Sequence, residues 1–205
     1  LRLGGQGISQ TKKFRDKLIM RDTAAAHGIP IPAYSRVVNH HQLYEYMQRV
    51  PPPWVLKPRL EAGAMGIKRV NSQDELWGLL EFLGDQQSFR VLEQYLPGDV
   101  YHVDAMTADG ETLFANVSRY AAPPLNVAHD GGVFMTYTLD PNSDDALALR
   151  KLNRELIHRF GLTDCPTHAE FIKAHHDGQF YFLEIAARVG GAHIADLVEH
   201  ATNIN

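Results

Sequence analysis

Glu170 and Glu184 lie in two strand-like stretches, 168–174 and 179–186, on either side of His176-Asp177-Gly178. A three-residue turn with glycine last puts the two carboxylates directly opposite each other. Facing acids repel unless something cationic stands near them. The simplest candidate is Mg²⁺, with Mn²⁺ as the alternative ion, because Mg²⁺ takes oxygen ligands and is commonly held by one or two carboxylates plus a substrate's phosphates. The pair therefore points towards a nucleotide. A two-residue Asp177-Gly178 turn would instead send the acids to opposite faces, and two exposed carboxylates on a hairpin are also what a solvated sheet face carries.

Upstream, Trp54-Val55-Leu56-Lys57-Pro58 reads as a short apolar strand ending in Lys57, followed by a loop with Gly63 and Gly66. Glycines let backbone N–H groups approach an anion, and a lysine at the strand end adds a mobile positive charge. No Gly-Lys-Ser/Thr follows, so this is not a Walker loop; an ordinary hairpin to a strand at 67–70 has the same signature. Between these features, the apolar run 89–96 carries Glu93-Gln94-Tyr95-Leu96 before Pro97-Gly98 breaks it, and such a hinge offers a free backbone edge to an adenine base.

Three other chemistries compete. His168-Ala169-Glu170 has the His-x-Glu spacing of zinc deaminases, which also need a Pro-Cys-x-x-Cys partner, but Cys165 is the chain's single cysteine. Cys165 and His168 could form a thiolate–imidazole pair, against which stands the usual role of a lone cysteine as a small buried side chain. His175 and His176 fall at the turn, where exposure accounts for them without a metal.

The elements that must position these residues alternate. Residues 14–27 read as a helix closed by Gly28 and two prolines, 34–38 as a strand, and Asn39 as the cap of a helix through Val50. Ser72-x-x-Glu75 is a capping box opening a helix that runs to Gly84. Strands at 100–107 and 112–118 flank Asp109-Gly110. In 144–160, Leu149, Leu152, Leu156 and Phe160 share one face, and Gly161 follows as the stop. Residues 121–134, with Pro123-Pro124 and Gly131-Gly132, read as a long loop of the kind that forms lids. The fold class expected is α+β. Subdomain boundaries fall near Pro30 and at 96–98, so residues 31–95 form a small lid inserted in a larger body made of 1–30 and 96–205.

Composition narrows the field. The 205 residues are 44% hydrophobic and 21% charged, enough for a sizeable core. Twenty basic against twenty-four acidic residues give a net charge of −4 with no cationic block, which argues against a nucleic-acid partner. No apolar run approaches the about 20 residues that span a bilayer, and a lone cysteine makes a reducing cytoplasm the default.

The order Asp16-Lys17, Gly28-Ile29-Pro30, Val55-Leu56-Lys57-Pro58, Ala62-Gly63-Ala64-Met65-Gly66, Glu93-Gln94-Tyr95-Leu96-Pro97-Gly98, His102-Val103-Asp104, His168-Ala169-Glu170 and Leu183-Glu184-Ile185-Ala186-Ala187-Arg188 resembles the ATP-grasp superfamily, over essentially the whole chain. It is most similar to the carboxylate–amine ligases and biotin carboxylase-like members. The resemblance implies an ATP-grasp fold of two α+β subdomains with the nucleotide between them, and an N-terminal α/β domain and a C-terminal remainder outside this chain. It implies an ADP-forming ligase in which ATP activates a small carboxylate as an acyl phosphate for attack by an amine. Alternatives are a biotin carboxylase-like enzyme acting on bicarbonate and a nucleotide-binding module without catalysis. A homodimer is left open.

By the same resemblance, Lys17 and Lys57 would reach the phosphates; Gly63, Ala64, Met65 and Gly66 would close over them; Glu93, Gln94, Tyr95 and Leu96 would form the adenine hinge; and His102 would contact the nucleotide. Glu170 and Glu184 would hold Mg²⁺, and Arg188 would neutralise the transferring phosphoryl group. Arg119, Gly190, Gly191 and His193 are the expected substrate-binding residues, Arg119 because a guanidinium fork suits a carboxylate or phosphate. Three positions depart from the family pattern: Ala186 stands where many relatives carry a metal-binding Asn, Ala64 where many carry Ser, and Val100, next to Asp99, where an acid often holds the ribose.

Overall fold

The computed structural model describes residues 7–61, 63 and 65–204. Helices are α1 (Ile8–Lys13), α2 (Lys17–Ala26), α3 (His40–Arg49), α4 (Gln73–Leu83), α5 (Pro124–Asp130), α6 (Asp144–Phe160) and α7 (Ile194–Thr202). Strands are β1 (Tyr34–Arg36), β2 (Trp54–Pro58), β3 (Lys68–Val70), β4 (Arg90–Gln94), β5 (Gly98–Ala108), β6 (Glu111–Tyr120), β7 (Thr136–Thr138), β8 (Cys165–Ala174) and β9 (Phe180–Ala186). They form an α+β fold with two antiparallel sheets, one in the order β1-β4-β2-β3 and one in the order β7-β6-β5-β8-β9.

Each sheet buries one face under helices, as alternation along a strand requires. In the smaller sheet, Trp54, Leu56, Val70 and Leu92 pack on Leu43, Tyr46 and Met47 of α3 and Leu76 and Leu80 of α4. In the larger sheet, Tyr101, Val103, Val117, Ala169, Phe171, Phe182 and Ile185 pack on Leu149, Leu156, Ile157 and Phe160 of α6 and Met20 and Ala24 of α2. The caps are those the sequence suggests. Asn39 Oδ1 accepts the N–H groups of His41 and Gln42, Ser72 Oγ accepts that of Glu75, and Gly161 ends α6 in the left-handed region.

The helix expected over 14–27 starts three residues later, as α2 at Lys17, and a separate helix, α1, precedes it. Phe14, Arg15 and Asp16 separate the two, and Asp16 becomes the N-cap of α2, accepting the Leu18 N–H at 3.0 Å. Its carboxylate is also held by Arg59, with Nε 3.0 Å from Oδ1 and Nη2 2.5 Å from Oδ2. The long loop expected over 121–134 contains α5, and His129 Nε2 of that helix lies 2.9 Å from the Ile67 carbonyl.

The β8–β9 register has two compensating irregularities. The turn is four residues, 175–178, closed by Ala174 N–H to Gln179 O and Gly178 N–H to Ala174 O at 2.9 Å each, not the three residues expected. Pairing continues from Lys173 opposite Phe180 to Phe171 opposite Phe182, and then slips by one so that Glu170 faces Glu184. Leu183 is the extra residue of this bulge. Leu183 and Glu184 both line the cavity while Phe182 and Ile185 on either side are in the core.

Gly98 opens β5 where a side chain has no room: a Cβ there would sit 2.4 Å from the Lys173 carbonyl and 2.7 Å from Ile172 Cγ1. We expect Gly98→Ala to cost about 1–3 kcal/mol through forced backbone displacement, read as a lower urea midpoint at unchanged slope.

Candidate functional site

The uncovered faces of the two sheets enclose a cavity of about 600 Å³, a size typical of small-molecule sites. The smaller sheet contributes Val55, Lys57 and Glu93; the larger contributes Val100, Tyr120, His168, Glu170, Ile172, Leu183 and Glu184; and α2, the 59–67 loop and the segment before α7 close the ends.

Of the expected residues, Lys17, Lys57, Gly63, Met65, Glu93, Gln94, Tyr95, Leu96, Glu170, Glu184, Arg188, Gly191 and His193 line this cavity. Ala64 lies outside the described residues. Gly66 lies in the same loop with φ +67°, but its carbonyl accepts from Arg90 Nη1 at 3.2 Å and it does not line the cavity.

Three expectations need correction. Arg119 points to the other face of the larger sheet, because neighbours on a strand alternate and Tyr120 takes the cavity side. Its Nη2 is 2.8 Å from Asp99 Oδ1 and its guanidinium lies 5.7 Å from the Tyr101 ring centroid. That pairing also removes Asp99 as a substitute for the ribose-binding acid. His102 is buried behind the cavity wall, with Nδ1 2.6 Å from Asp104 Oδ2 and Nε2 2.7 Å from Thr136 Oγ1. Gly190 is buried too: a Cβ there would meet Ile194 Cγ2 at 2.5 Å and Asp104 Oδ1 at 3.0 Å, so glycine is required for packing, not for approach of a substrate.

The hinge is narrower than a fully free edge. The Gln94 N–H donates to Ala33 O at 2.8 Å and the Tyr95 N–H to Pro53 O at 3.2 Å, leaving the Leu96 amide as the donor open to a ligand. Glu93 turns out to act through its side chain. It is buried, and Arg21 Nε stands 2.9 Å from Oε1 while Arg21 Nη2 and Lys57 Nζ donate to Oε2 at 3.1 and 2.7 Å. Burial alone would push this carboxyl up; Arg21 first and Lys57 second more than offset that and hold it at about 2. Arg21 is 0% exposed, and sequence reasoning missed it. Its signal was its place one turn after Lys17, which puts both cations on one side of α2.

The facing acids have separate companions. Glu184 Oε2 lies 3.1 Å from Lys17 Nζ, which also donates to the Glu61 carbonyl at 2.5 Å. Glu170 Oε1 accepts from the Tyr120 hydroxyl at 2.9 Å, with His168 Nε2 at 3.6 Å. His168 Nδ1 is 2.8 Å from Asp104 Oδ1. Burial lowers the basicity of His168, but Asp104 and Glu170 raise it to about 10, so the ring is an imidazolium at neutral pH. Glu170 is held below the usual carboxylate range: burial works against this, and His168 and then Tyr120 prevail.

The competing chemistries find less support. Among the described residues, His102, Asp104 and His168 bring potential metal-ligand atoms within 4.8 Å of one another, but the nitrogen of each ring that faces Asp104 is already at hydrogen-bond distance from it. Burial pushes the Cys165 thiol up, the reverse of nucleophile activation. His175 and His176 turn to different acids, Asp99 at 3.7 Å and Asp177 at 3.3 Å.

Removing one partner of the Glu93 cluster strands a buried charge. We expect Arg21→Met to lose about 3–5 kcal/mol in chemical denaturation. Because the Glu93 carboxyl is depressed when folded, its contribution is complete above its ordinary value of 4.5 and is lost as pH falls towards about 2. Wild-type stability should therefore fall more steeply below pH 4.5 than that of Glu93→Gln, measured by urea titration at stepped pH.

Comparison with known proteins bears on this arrangement. An L-arginine-specific L-amino acid ligase of Bacillus subtilis is 29% identical over 210 residues, covering 99% of this chain and 50% of the relative. The crystal structure of an L-amino acid ligase from Bacillus licheniformis superposes with a TM-score of 0.76 at 21% identity, covering 100% of this chain and 48% of that one. A carboxyaminoimidazole ribonucleotide synthase from Aspergillus clavatus, complexed with ATP, superposes at 0.72 with 20% identity, over 88% of this chain and 46% of that one. At such identities these structures establish the fold alone. The chain spans about half the length of these relatives. Residues 50–196 match the ATP-grasp domain family, which is most of the chain and includes both opposed acids, the hinge and Arg188: the chain belongs to the ATP-grasp family.

Proposed function

We propose that the protein is an ATP-dependent, ADP-forming ligase that activates the carboxylate of an amino acid as an acyl phosphate and joins it to an amine. The observation that carries this is the meeting, in one cavity, of two opposed carboxylates with Lys17, Lys57 and Arg188. Phosphoryl transfer demands positioning and charge neutralisation rather than covalent help from the protein, and this set supplies both. The amino-acid substrate is supported by the relatives named as L-amino acid ligases.

In the first step a carboxylate oxygen attacks the γ-phosphorus of ATP, and the bond to the β–γ bridging oxygen breaks with its electrons leaving on ADP. In the second, the amine nitrogen attacks the acyl carbon, phosphate leaves and the nitrogen gives up a proton. Glu170 and Glu184 fit a Mg²⁺ ion, since they are opposed across the bulge and both open on the cavity; the ion would screen charge on the phosphates. Lys17 and Lys57 pair with phosphate oxygens, the amides of Gly63 and Met65 cover them, and Arg188 faces the transferred group. Gln94, Tyr95 and Leu96 border the adenine, with Leu96 N–H as its donor. Tyr120 and His168 hold Glu170 ionised and oriented. Residues 31–95 act as the lid over a body formed by 1–30 and 96–205. We place the protein in the cytoplasm on its single cysteine; among the described residues no helix is long and apolar enough to cross a membrane.

The test is ADP release by the intact protein with Mg²⁺ and pairs of amino acids. MgATP binding without turnover of any amino acid, or of bicarbonate, would leave a binding module instead. Lys57→Ala should weaken MgATP binding about ten- to a hundredfold in calorimetry, the range for losing a charge-assisted hydrogen bond. Glu184→Gln should lower kcat about a hundredfold or more while leaving Tm nearly unchanged. Unaltered Mg²⁺-dependent turnover in the latter would reduce Glu184 to scaffolding.

A further inference from the structure

Each of the two opposed acids is already paired by the chain itself. The Tyr120 hydroxyl donates to Glu170 Oε1 at 2.9 Å and His168 Nε2 lies 3.6 Å from the same oxygen; the Lys17 ammonium lies 3.1 Å from Glu184 Oε2. The two sets of partners differ in freedom. Tyr120 and His168 stand on β6 and β8, in the same sheet as Glu170, and His168 is fastened from behind by Asp104 Oδ1 at 2.8 Å. Lys17 comes from α2, outside the sheet. Its amide donates to the Arg59 carbonyl at 2.9 Å, which fixes the backbone, while the ammonium sits at the tip of a flexible four-carbon stem on the lining of the cavity.

An ammonium and a divalent ion on one carboxylate work against each other. The ion needs the charge and the lone pairs of Glu184, and a second cation within a few ångströms repels it more strongly the less water lies between them. The Lys17 side chain is 8% exposed, so water screens that repulsion poorly. A triphosphate changes the balance, because its oxygens carry more charge than one carboxylate and supply further ligands for the ion. An ammonium has three donors, and those of Lys17 have two protein acceptors here, Glu184 and the Glu61 carbonyl at 2.5 Å. Lys17 can therefore turn to a phosphate and release Glu184 without moving α2. Lys57 is committed elsewhere, to Glu93 Oε2 at 2.7 Å, so the competition falls on Lys17.

We propose that Lys17 holds the place of the metal ion on Glu184, so that a divalent cation enters between the opposed acids together with a nucleotide, whose phosphates draw the ammonium off that carboxylate. This rests on the metal-binding role given to Glu170 and Glu184 under the function proposed above. Lys17 is then a coupling residue as well as a phosphate contact. By reciprocity, the affinity that its ammonium takes from the ion in the absence of nucleotide is returned when nucleotide takes the ammonium. The repulsion between the facing acids is relieved in both states, by the lysine first and by the ion afterwards.

The test titrates Mn²⁺ alone into the intact protein, without nucleotide and then with ADP, reading the free ion by electron paramagnetic resonance. Without nucleotide, Lys17→Gln should bind Mn²⁺ about tenfold or more tightly than wild type, within the usual range of coupling between sites; its amide still donates to the Glu61 carbonyl but brings no charge. Lys17→Met repeats the measurement should Lys17→Gln lack native circular dichroism. The gain should vanish in the Glu184→Gln background, where no carboxylate is left to compete for. Equal Mn²⁺ affinity in wild type and the Lys17 variant, or a gain that survives Glu184→Gln, overturns the proposal. Mn²⁺ affinity that Glu184→Gln alone leaves unchanged, with ADP and without, overturns the metal role of Glu184 itself, a result distinct from a wrong assignment of Lys17.

Discussion

Burying Glu93 between Arg21 and Lys57 is the constraint on which the arrangement turns. Arg21 belongs to α2, whose Met20 and Ala24 pack into the core beneath the larger sheet, while Glu93 and Lys57 stand on adjacent strands of the smaller sheet. One carboxylate therefore joins the two halves at the floor of the cavity between them. A buried ion pair, Arg21 with Glu93, and the half-buried Lys57 beside it are stable only when their geometry compensates the lost hydration. The cluster thus fixes where Lys57 can be, and with it the relation of the smaller sheet to α2. Lys57 has a second partner available only if a more strongly anionic group arrives, which is the property a phosphate-binding cation needs.

The opposed acids show the same logic in the larger sheet. Bringing Glu170 and Glu184 face to face costs electrostatic energy that the chain offsets with its own cations, Lys17 on one side and the His168 imidazolium on the other. Asp104 keeps that imidazolium charged and is itself clamped by His102. Gly190 then allows the segment before α7 to press directly on Asp104. A chain of contacts thus runs from the acids, through a charged ring and a buried carboxylate, to the segment that carries Arg188.

Much of this was legible in the sequence where the signal is local. Caps at Asn39 and Ser72 and the stop at Gly161 depend on residues within four positions, and the helices they bound appear where the pattern puts them. The start of α2 at Lys17 rather than at Phe14 was not legible, because Asp16 is recruited as a cap with the help of Arg59, 43 residues away. The facing of Glu170 and Glu184 was expected from a three-residue turn; the turn has four, and the bulge at Leu183 restores the register by one residue. α5 lay in a segment whose prolines and glycines read as loop, and β7, three residues just beyond it, exists by pairing with β6. Arg119 could have been excluded from the cavity by parity alone, since a strand cannot send Arg119 and Tyr120 to one face.

The stem of the glycine-bearing loop is moored three times to the start of α2: by Asp16 to the Arg59 guanidinium, by the Lys17 amide to the Arg59 carbonyl at 2.9 Å, and by the Lys17 ammonium to the Glu61 carbonyl. The strand ends consequently cannot swing apart without dragging the helix with them. Past Glu61 the backbone turns at glycines, with Gly63 and Gly66 at φ of +70° and +67°. The base of the loop and the helix carrying Lys17 thus travel as one piece, since separating them would break all three moorings together.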